Sequence, residues 1–171
     1  METNLKFLVV EDNEKHAADA KRVAEKMGLN IVTARTEREA ENLMYKIEWR
    51  KGEGECHIQL VDAVVTDIFL PLIGAEAAGG RTLWDNDQSP CGLLVAMKAQ
   101  KAKIPFALCT SGYHHGAKYQ WIQYMTRLLG WPDMVDCHTA GYEGEADTKN
   151  WKSAFEQAIK EVQKREAVEP Q

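Results

Sequence analysis

Lys6-Phe7-Leu8-Val9-Val10-Glu11-Asp12-Asn13 is the stretch on which the fold turns. Its near-continuous apolar run suits a strand covered on both faces, as in a parallel sheet, rather than one with a wet side. Two acids follow at once, where such a strand would emerge from the core. Ala20, Val23, Ala24 and Met27 then fall at i, i+3, i+4 and i+7 and Gly28 supplies a stop, which predicts a helix. Strand followed by helix is the opening unit of an alternating chain.

The unit recurs. Asn30–Ala34 reads as a second strand, and Thr36 with Glu39 three residues on reads as a capping box opening a helix that carries Ala40, Leu43, Met44 and Ile47. Arg50 to Glu55 is charged and glycine-punctuated, the pattern of an exposed loop. Ala63–Thr66 is the third strand, 92–102 a helix, Phe106–Thr110 the fourth strand, 115–129 a helix and 134–137 a short fifth strand. Phe155, Ala158, Ile159 and Val162 mark the last helix. Five strands interleaved with five helices predict a flavodoxin-like, doubly wound α/β fold: a five-stranded parallel sheet with helices on both faces. One domain over residues 1–171 is expected, with inserted loops at about 50–60 and 74–90. Ligands of such a sheet bind at the carboxyl ends of the strands, where strand order reverses.

Composition narrows the function. At 171 residues and 44% hydrophobic, the chain can build a core without metal or disulfide staples. Lys plus Arg (21) against Asp plus Glu (26) gives a net charge of −5, the wrong sign for generic binding to nucleic acid or an anionic membrane. No apolar run approaches the ~20 residues of a membrane span, and no signal-peptide pattern opens the sequence, so a cytoplasmic location is expected. Cys56, Cys91, Cys109 and Cys137 contain no C-x-x-C, and together with His57, His114, His115 and His138 they match no zinc module; buried free thiols are expected. No Gly-x-Gly-x-x-Gly follows the first strand, and no basic recognition helix supports direct DNA binding.

The chemistry is sought at the strand ends. Glu11 and Asp12 follow strand one, Asp67 follows strand three, and Thr110-Ser111 ends strand four. Carboxylates gathered there repel by about 1 to 4 kcal/mol per pair at ~4 Å. Mg²⁺ relieves that repulsion and leaves coordination sites for a phosphate oxygen. Asp67 is then the candidate nucleophile, since a carboxylate accepts a phosphoryl group as an acyl phosphate when a metal neutralises the developing charge. Taken singly, Glu11 to Glu14 also fits an ordinary helix amino terminus, and Asp67 and Thr110 fit ordinary loop and strand-end residues.

Three segments together resemble the receiver domain of two-component response regulators. They are Phe7 to Asn13, the acidic-pair strand; Val64-Val65-Thr66-Asp67-Ile68-Phe69-Leu70-Pro71, the phosphoacceptor strand with its following proline; and Ile104 to Ser111, the strand ending in a switch hydroxyl. The resemblance spans nearly the whole chain. It implies that Glu11, Asp12, Asp67 and the main-chain carbonyl of Phe69 hold Mg²⁺. It also implies that Asp67 takes phosphate from a sensor histidine kinase or phosphotransfer protein, and that Thr110 swings to bond the phosphoryl group. The added charge of about −1.5 to −2 biases a two-state surface.

The chain departs from the family at the fifth strand, which normally ends in a lysine. Here Met134 to Gly141 carries His138 near that place and no lysine until Lys149, which reads as a solvated helix-start residue unless residues 141–148 fold back. The aromatic partner of the switch is also missing there, with Val135 or Asp136 in its stead. Trp84 in the second insertion, and Trp121, Tyr124 and Trp131 around the fourth helix, are candidates for a partner face or for core.

The first expectation is a stand-alone receiver that signals through protein contacts to an unknown downstream protein and is not an enzyme in the ordinary sense. The alternatives are a pseudo-receiver interaction module without effective phosphorylation and a Mg²⁺-dependent phosphohydrolase. Phe69 stands where the haloacid-dehalogenase-like enzymes want a second aspartate, which disfavours the hydrolase.

Overall fold

Alternate side chains of β1 (Lys6–Val10) point into two different cores, which is why the strand reads as a continuous apolar run. Leu8 and Val10 join one cluster, Phe7 and Val9 the other, and all four are fully buried. In this computed structural model the described residues are 5–52, 54–71, 88–111, 117–136 and 149–168.

β1 lies between β2 (Asn30–Ala34) and β5 (Ala63–Thr66), and β8 (Phe106–Leu108) pairs with β5, giving a parallel sheet in the order β2-β1-β5-β8. The chain crosses from β2 over β1 to β5, so strand order reverses between β1 and β5. The expected fifth strand is reduced to one parallel bridge, Cys109 to Val135, held by Val135 N–H to the Leu108 carbonyl and Thr110 N–H to the Val135 carbonyl, both 2.9 Å. Among the described residues the sheet ladder has four strands where five were expected.

Two helices, α1 (Glu14–Lys26) and α5 (Trp151–Val168), cover one face through Ala20, Ala24, Trp151, Phe155 and Ala158, with Phe155 set edge-on to Phe7 at 5.7 Å. The other face is filled around Ala40, Met44, Val95, Ala96, Ala99, Ile122 and Trp131 from α2 (Glu37–Met44), α3 (Cys91–Lys101), α4 (Ala117–Leu128) and the segment after it. Trp131 therefore belongs to the core. Trp121 and Tyr124 stand exposed on α4. Among the described cysteines Cys91 and Cys109 are buried and Cys56 is half-buried, all as free thiols, while Cys137 lies outside the described residues.

The predicted capping box of α2 forms with a shift of one residue. Thr36 Oγ1 accepts from Glu39 N–H at 3.2 Å, and Glu39 reaches back to the Arg35 N–H at 2.8 Å.

The second helix stops at Met44, so Ile47 is not on it; β3 (Tyr45–Arg50) pairs antiparallel with β4 (Gly54–Gln59) in a separate hairpin. The expected exposed loop at Arg50 to Glu55 is the tip of that hairpin, where Gly52 and Gly54 take φ of 90° and 82°, the left-handed region that glycine enters cheaply. A two-residue ribbon of β6 (Leu70–Pro71) and β7 (Gln88–Ser89) closes the turn after β5. Most of the second inserted segment, with Trp84, lies outside the described residues.

Candidate functional site

The reversal point between β1 and β5 carries the acids. Glu11 N–H donates to the Ala34 carbonyl and Asp67 N–H to the Val10 carbonyl, both at 2.9 Å, so ladder bonding carries each acid to the carboxyl edge of the sheet. Carboxylate oxygens of Glu11, Asp12 and Asp67 all lie within 4.8 Å of one another. Both readings of residues 11–14 hold at once. Asn13 caps α1, accepting from Lys15 and His16 N–H at 2.9 and 3.3 Å, and Glu14 occupies the first turn, while Glu11 and Asp12 face the site.

Asp67 is fixed by its neighbours. Ile68 N–H donates to Asp67 Oδ1 at 2.7 Å and the Thr66 hydroxyl donates to the Asp67 carbonyl at 2.8 Å. From outside, α3 begins directly against this turn, with Gly92 N–H bonded to the Ile68 carbonyl at 3.0 Å. A Cβ on Gly92 would sit 1.6 Å from the Asp67 carbonyl oxygen, so only glycine lets the helix approach. Phe69, half-buried, stands two residues past Asp67 in the same turn. On the next strand Cys109 N–H bonds the Thr66 carbonyl at 2.9 Å, and Thr110, buried, follows one step beyond.

Lys149 completes the arrangement, contrary to its reading as a solvated residue. Only 4% exposed, it places Nζ 2.8 Å from Asp67 Oδ2 and in an ion pair with Glu11 Oε2. It comes from the two residues before α5, where Asn150 caps the helix by accepting from Ser153 N–H at 3.1 Å, and not from a strand end. The ammonium lies 5.6 Å from the centre of the Trp151 ring. His138 lies outside the described residues.

Burial and charge oppose each other here. Burial, with Asp67 nearby, pushes Glu11 up to about 7 although Lys149 pulls it down. Burial likewise raises Asp67 against the pull of Lys149. Burial works to discharge Lys149, yet Asp67 and Glu11 outweigh it and hold its ammonium above the usual range. His16, buried on α1 beside this charge set, is pushed down by burial and then by Lys149, which favours the neutral imidazole. Three carboxylates against one ammonium leave formal negative charge over at one point, and oxygen donors of this kind fit a hard divalent cation such as Mg²⁺.

No family model and no curated protein matches the chain. Solved structures do. The receiver domain of the Francisella response regulator 1452 matches with a TM-score of 0.56 at 15% identity, over 95% of this chain and 99% of that one. The non-phosphorylated HemR receiver domain from Leptospira biflexa matches at 0.52 and 22%, over 92% and 94%. A response regulator receiver domain protein from Clostridium thermocellum matches at 0.57 and 13%, over 96% and 99%.

The chain has the receiver fold. At these identities the likeness speaks for architecture, and the side chains speak for the site. Within the receiver fold, the structure brings Glu11, Asp12 and Asp67 together and sets Phe69 and Thr110 on the adjoining turn and strand end. It adds one residue that the sequence reading had favoured as solvated and kept only as a conditional substitute, Lys149. The one usable signal was an isolated lysine just before a helix whose first residue, Trp151, is apolar and 2% exposed.

Proposed function

We propose that this receiver-like domain accepts a phosphoryl group on Asp67 from the phosphohistidine of a sensor histidine kinase or phosphotransfer protein and signals through protein contacts in the cytoplasm. The reading rests on one observation: Lys149 Nζ held 2.8 Å from Asp67 Oδ2 inside a cluster of three carboxylates. An Asp67 carboxylate oxygen attacks phosphorus, the P–N bond breaks, and the departing imidazole takes a proton. Glu11, Asp12, Asp67 and the main-chain carbonyl of Phe69 would hold Mg²⁺, which when bound supplies neutralisation of the charge that develops on the phosphoryl oxygens.

The chain's own groups do the rest. Ile68 N–H and Lys149 fix the two oxygens of Asp67, so that one is aimed and the other is charge-balanced. Once phosphate is on the carboxylate, the ammonium is within reach of a phosphoryl oxygen, a charge-assisted contact stronger than a neutral hydrogen bond. The Thr110 hydroxyl then turns toward the phosphoryl group and the segment behind β8 follows. Exposed Trp121, Tyr124 and Leu128, at i, i+3 and i+7 on α4, offer an apolar stripe for a downstream protein.

The pseudo-receiver alternative drew on the lack of a strand-end lysine; the Lys149 ammonium beside Asp67 supports the phosphoacceptor reading over it. Incubation with Mg²⁺ and acetyl phosphate followed by intact mass tests the proposal. A phosphate adduct on the parent that is lost in Asp67→Asn is the expected result. No adduct returns the case to a pseudo-receiver, and sustained release of inorganic phosphate over many turnovers points to the hydrolase.

A further inference from the structure

We infer that the β3–β4 hairpin is a self-association element, in which β3 of one chain pairs antiparallel with β3 of a second copy about a two-fold axis at Ile47. The inference is independent of phosphorylation.

The hairpin stands apart from the parallel sheet. Among the described residues, β3 has β4 as its only ladder partner. β4 is the inward strand. Its Glu55 pairs with Lys101 at 3.0 Å, and Gln59 donates to the Ala102 and Lys103 carbonyls at 3.0 and 3.2 Å, tying it to the end of α3. β3 is the outward one, with every residue from Lys46 to Arg50 exposed. A free edge is a template for another strand, and a two-stranded ribbon alone is marginally stable in water.

The side chains along that edge complement themselves. Tyr45, Ile47 and Trp49 share one face and Lys46, Glu48 and Arg50 the other. A two-fold axis at Ile47 sets Ile47 against its own copy and Lys46 against Glu48 of the second copy, twice. It also sets Tyr45 opposite the second copy's Trp49, twice. Axes at Lys46 or Glu48 would stack like charges. An axis at Trp49 would pair Glu48 with Arg50 but place Lys46 opposite Gly52. The apolar face is open for cover at its outer end, with Trp49 78% and Ile47 49% exposed, while Tyr45 is buried against its own chain and offers only its edge beside the pocket. A pocket of about 450 Å³, lined by Glu41, Asn42, Tyr45, Lys46 and Ile47, lies beside Tyr45, where the second copy's indole would arrive. Among the described residues Glu48 makes a 4.0 Å approach to Arg50 and Lys46 makes no ion pair, so both side chains, exposed on the outward strand, can meet those of the second copy.

Sedimentation equilibrium of the full chain across a concentration series tests this, with circular dichroism as the check on folding. The parent is expected to form dimers. Lys46→Glu and Glu48→Lys are each expected to weaken them by roughly ten- to thirty-fold, since two attractive cross-strand pairs become repulsive. Mixing the two variants is expected to restore a heterodimer, because every facing pair is then opposite in sign, and the double swap in one chain is expected to restore a homodimer. A parent that stays monomeric overturns the inference. So does a dimer indifferent to Lys46→Glu, which would place the contact on another surface or in another register, or a mixture that fails to recover.

Discussion

Replacing Lys149 with methionine keeps the volume of the side chain and deletes the ammonium between Glu11 and Asp67. Both partners are buried, Glu11 at 1% exposure, so solvent screens the contact little. Removing one member of a buried ion pair costs about 3 to 5 kcal/mol, because a desolvated charge is left alone. Glu11 can shed part of that cost by taking up a proton, since burial already lifts it to about 7. The cost is therefore expected to be about 3 kcal/mol near pH 8, where Glu11 is charged in the parent and the variant must either protonate it or leave it uncompensated. For a chain of this size that lowers the melting temperature by roughly 6 to 12 °C. The sign with pH follows from linkage: a carboxyl whose folded value exceeds its unfolded value binds more protons in the folded state. Its contribution is present in acid and is lost as pH rises through about 7, and the deletion steepens that loss. Thermal unfolding of parent and Lys149→Met without divalent cation, at pH 5.5 and 8, measures both quantities, and Glu11→Gln/Lys149→Met should recover much of the deficit. A variant that melts with the parent at pH 8, or whose deficit ignores pH and the second substitution, would refute the burial of this lysine among the acids.

Gly92→Ala drives a methyl into the Asp67 carbonyl and is expected to cost about 1 to 3 kcal/mol or more, read as a lower urea midpoint, and to slow formation of the phosphate adduct by displacing the Asp67 turn. Mg²⁺ should raise the melting temperature of the parent more at pH 8 than at pH 5.5, because Glu11 must lose its proton to bind a cation, and should raise Lys149→Met more than the parent at pH 8; equal shifts would argue against cation binding at these acids. Thr110→Ala is expected to accept phosphate from acetyl phosphate at a rate near the parent's, yet to lose the phosphate-dependent change in Trp fluorescence or hydrogen exchange. Phe155→Ala, fully buried on α5 with its ring edge-on to Phe7, should cost about 3 to 5 kcal/mol in urea unfolding while leaving Mg²⁺ affinity in place.

The acids were legible because they sit directly after buried strands. Val10 and Thr66 are pinned side by side by the β1–β5 ladder, so Glu11 and Asp67 must emerge together. Lys149 was hidden because its position depends on the path of residues 137–148, which no periodicity reports. Ile47 misled for a simpler reason: one apolar residue at the right spacing extends a helical pattern, while the competing signal was weaker to the eye. That signal was alternation in Tyr45-Lys46-Ile47-Glu48-Trp49, with three β-favouring residues on one face and a glycine-bearing tip after it. The fifth strand was read from composition, and one bridge at Val135 is all that the described residues keep of it.

Because the ammonium that grips Asp67 belongs to the residue beside the Asn150 cap, the foot of α5 and the reactive carboxylate are mechanically one joint. The Lys149 carbonyl even accepts the amide of Trp151 at 3.0 Å. On the proposed function, any new oxygen taken by the ammonium would act directly on the end of an 18-residue rod, which would make α5 a lever as well as a wall of the core.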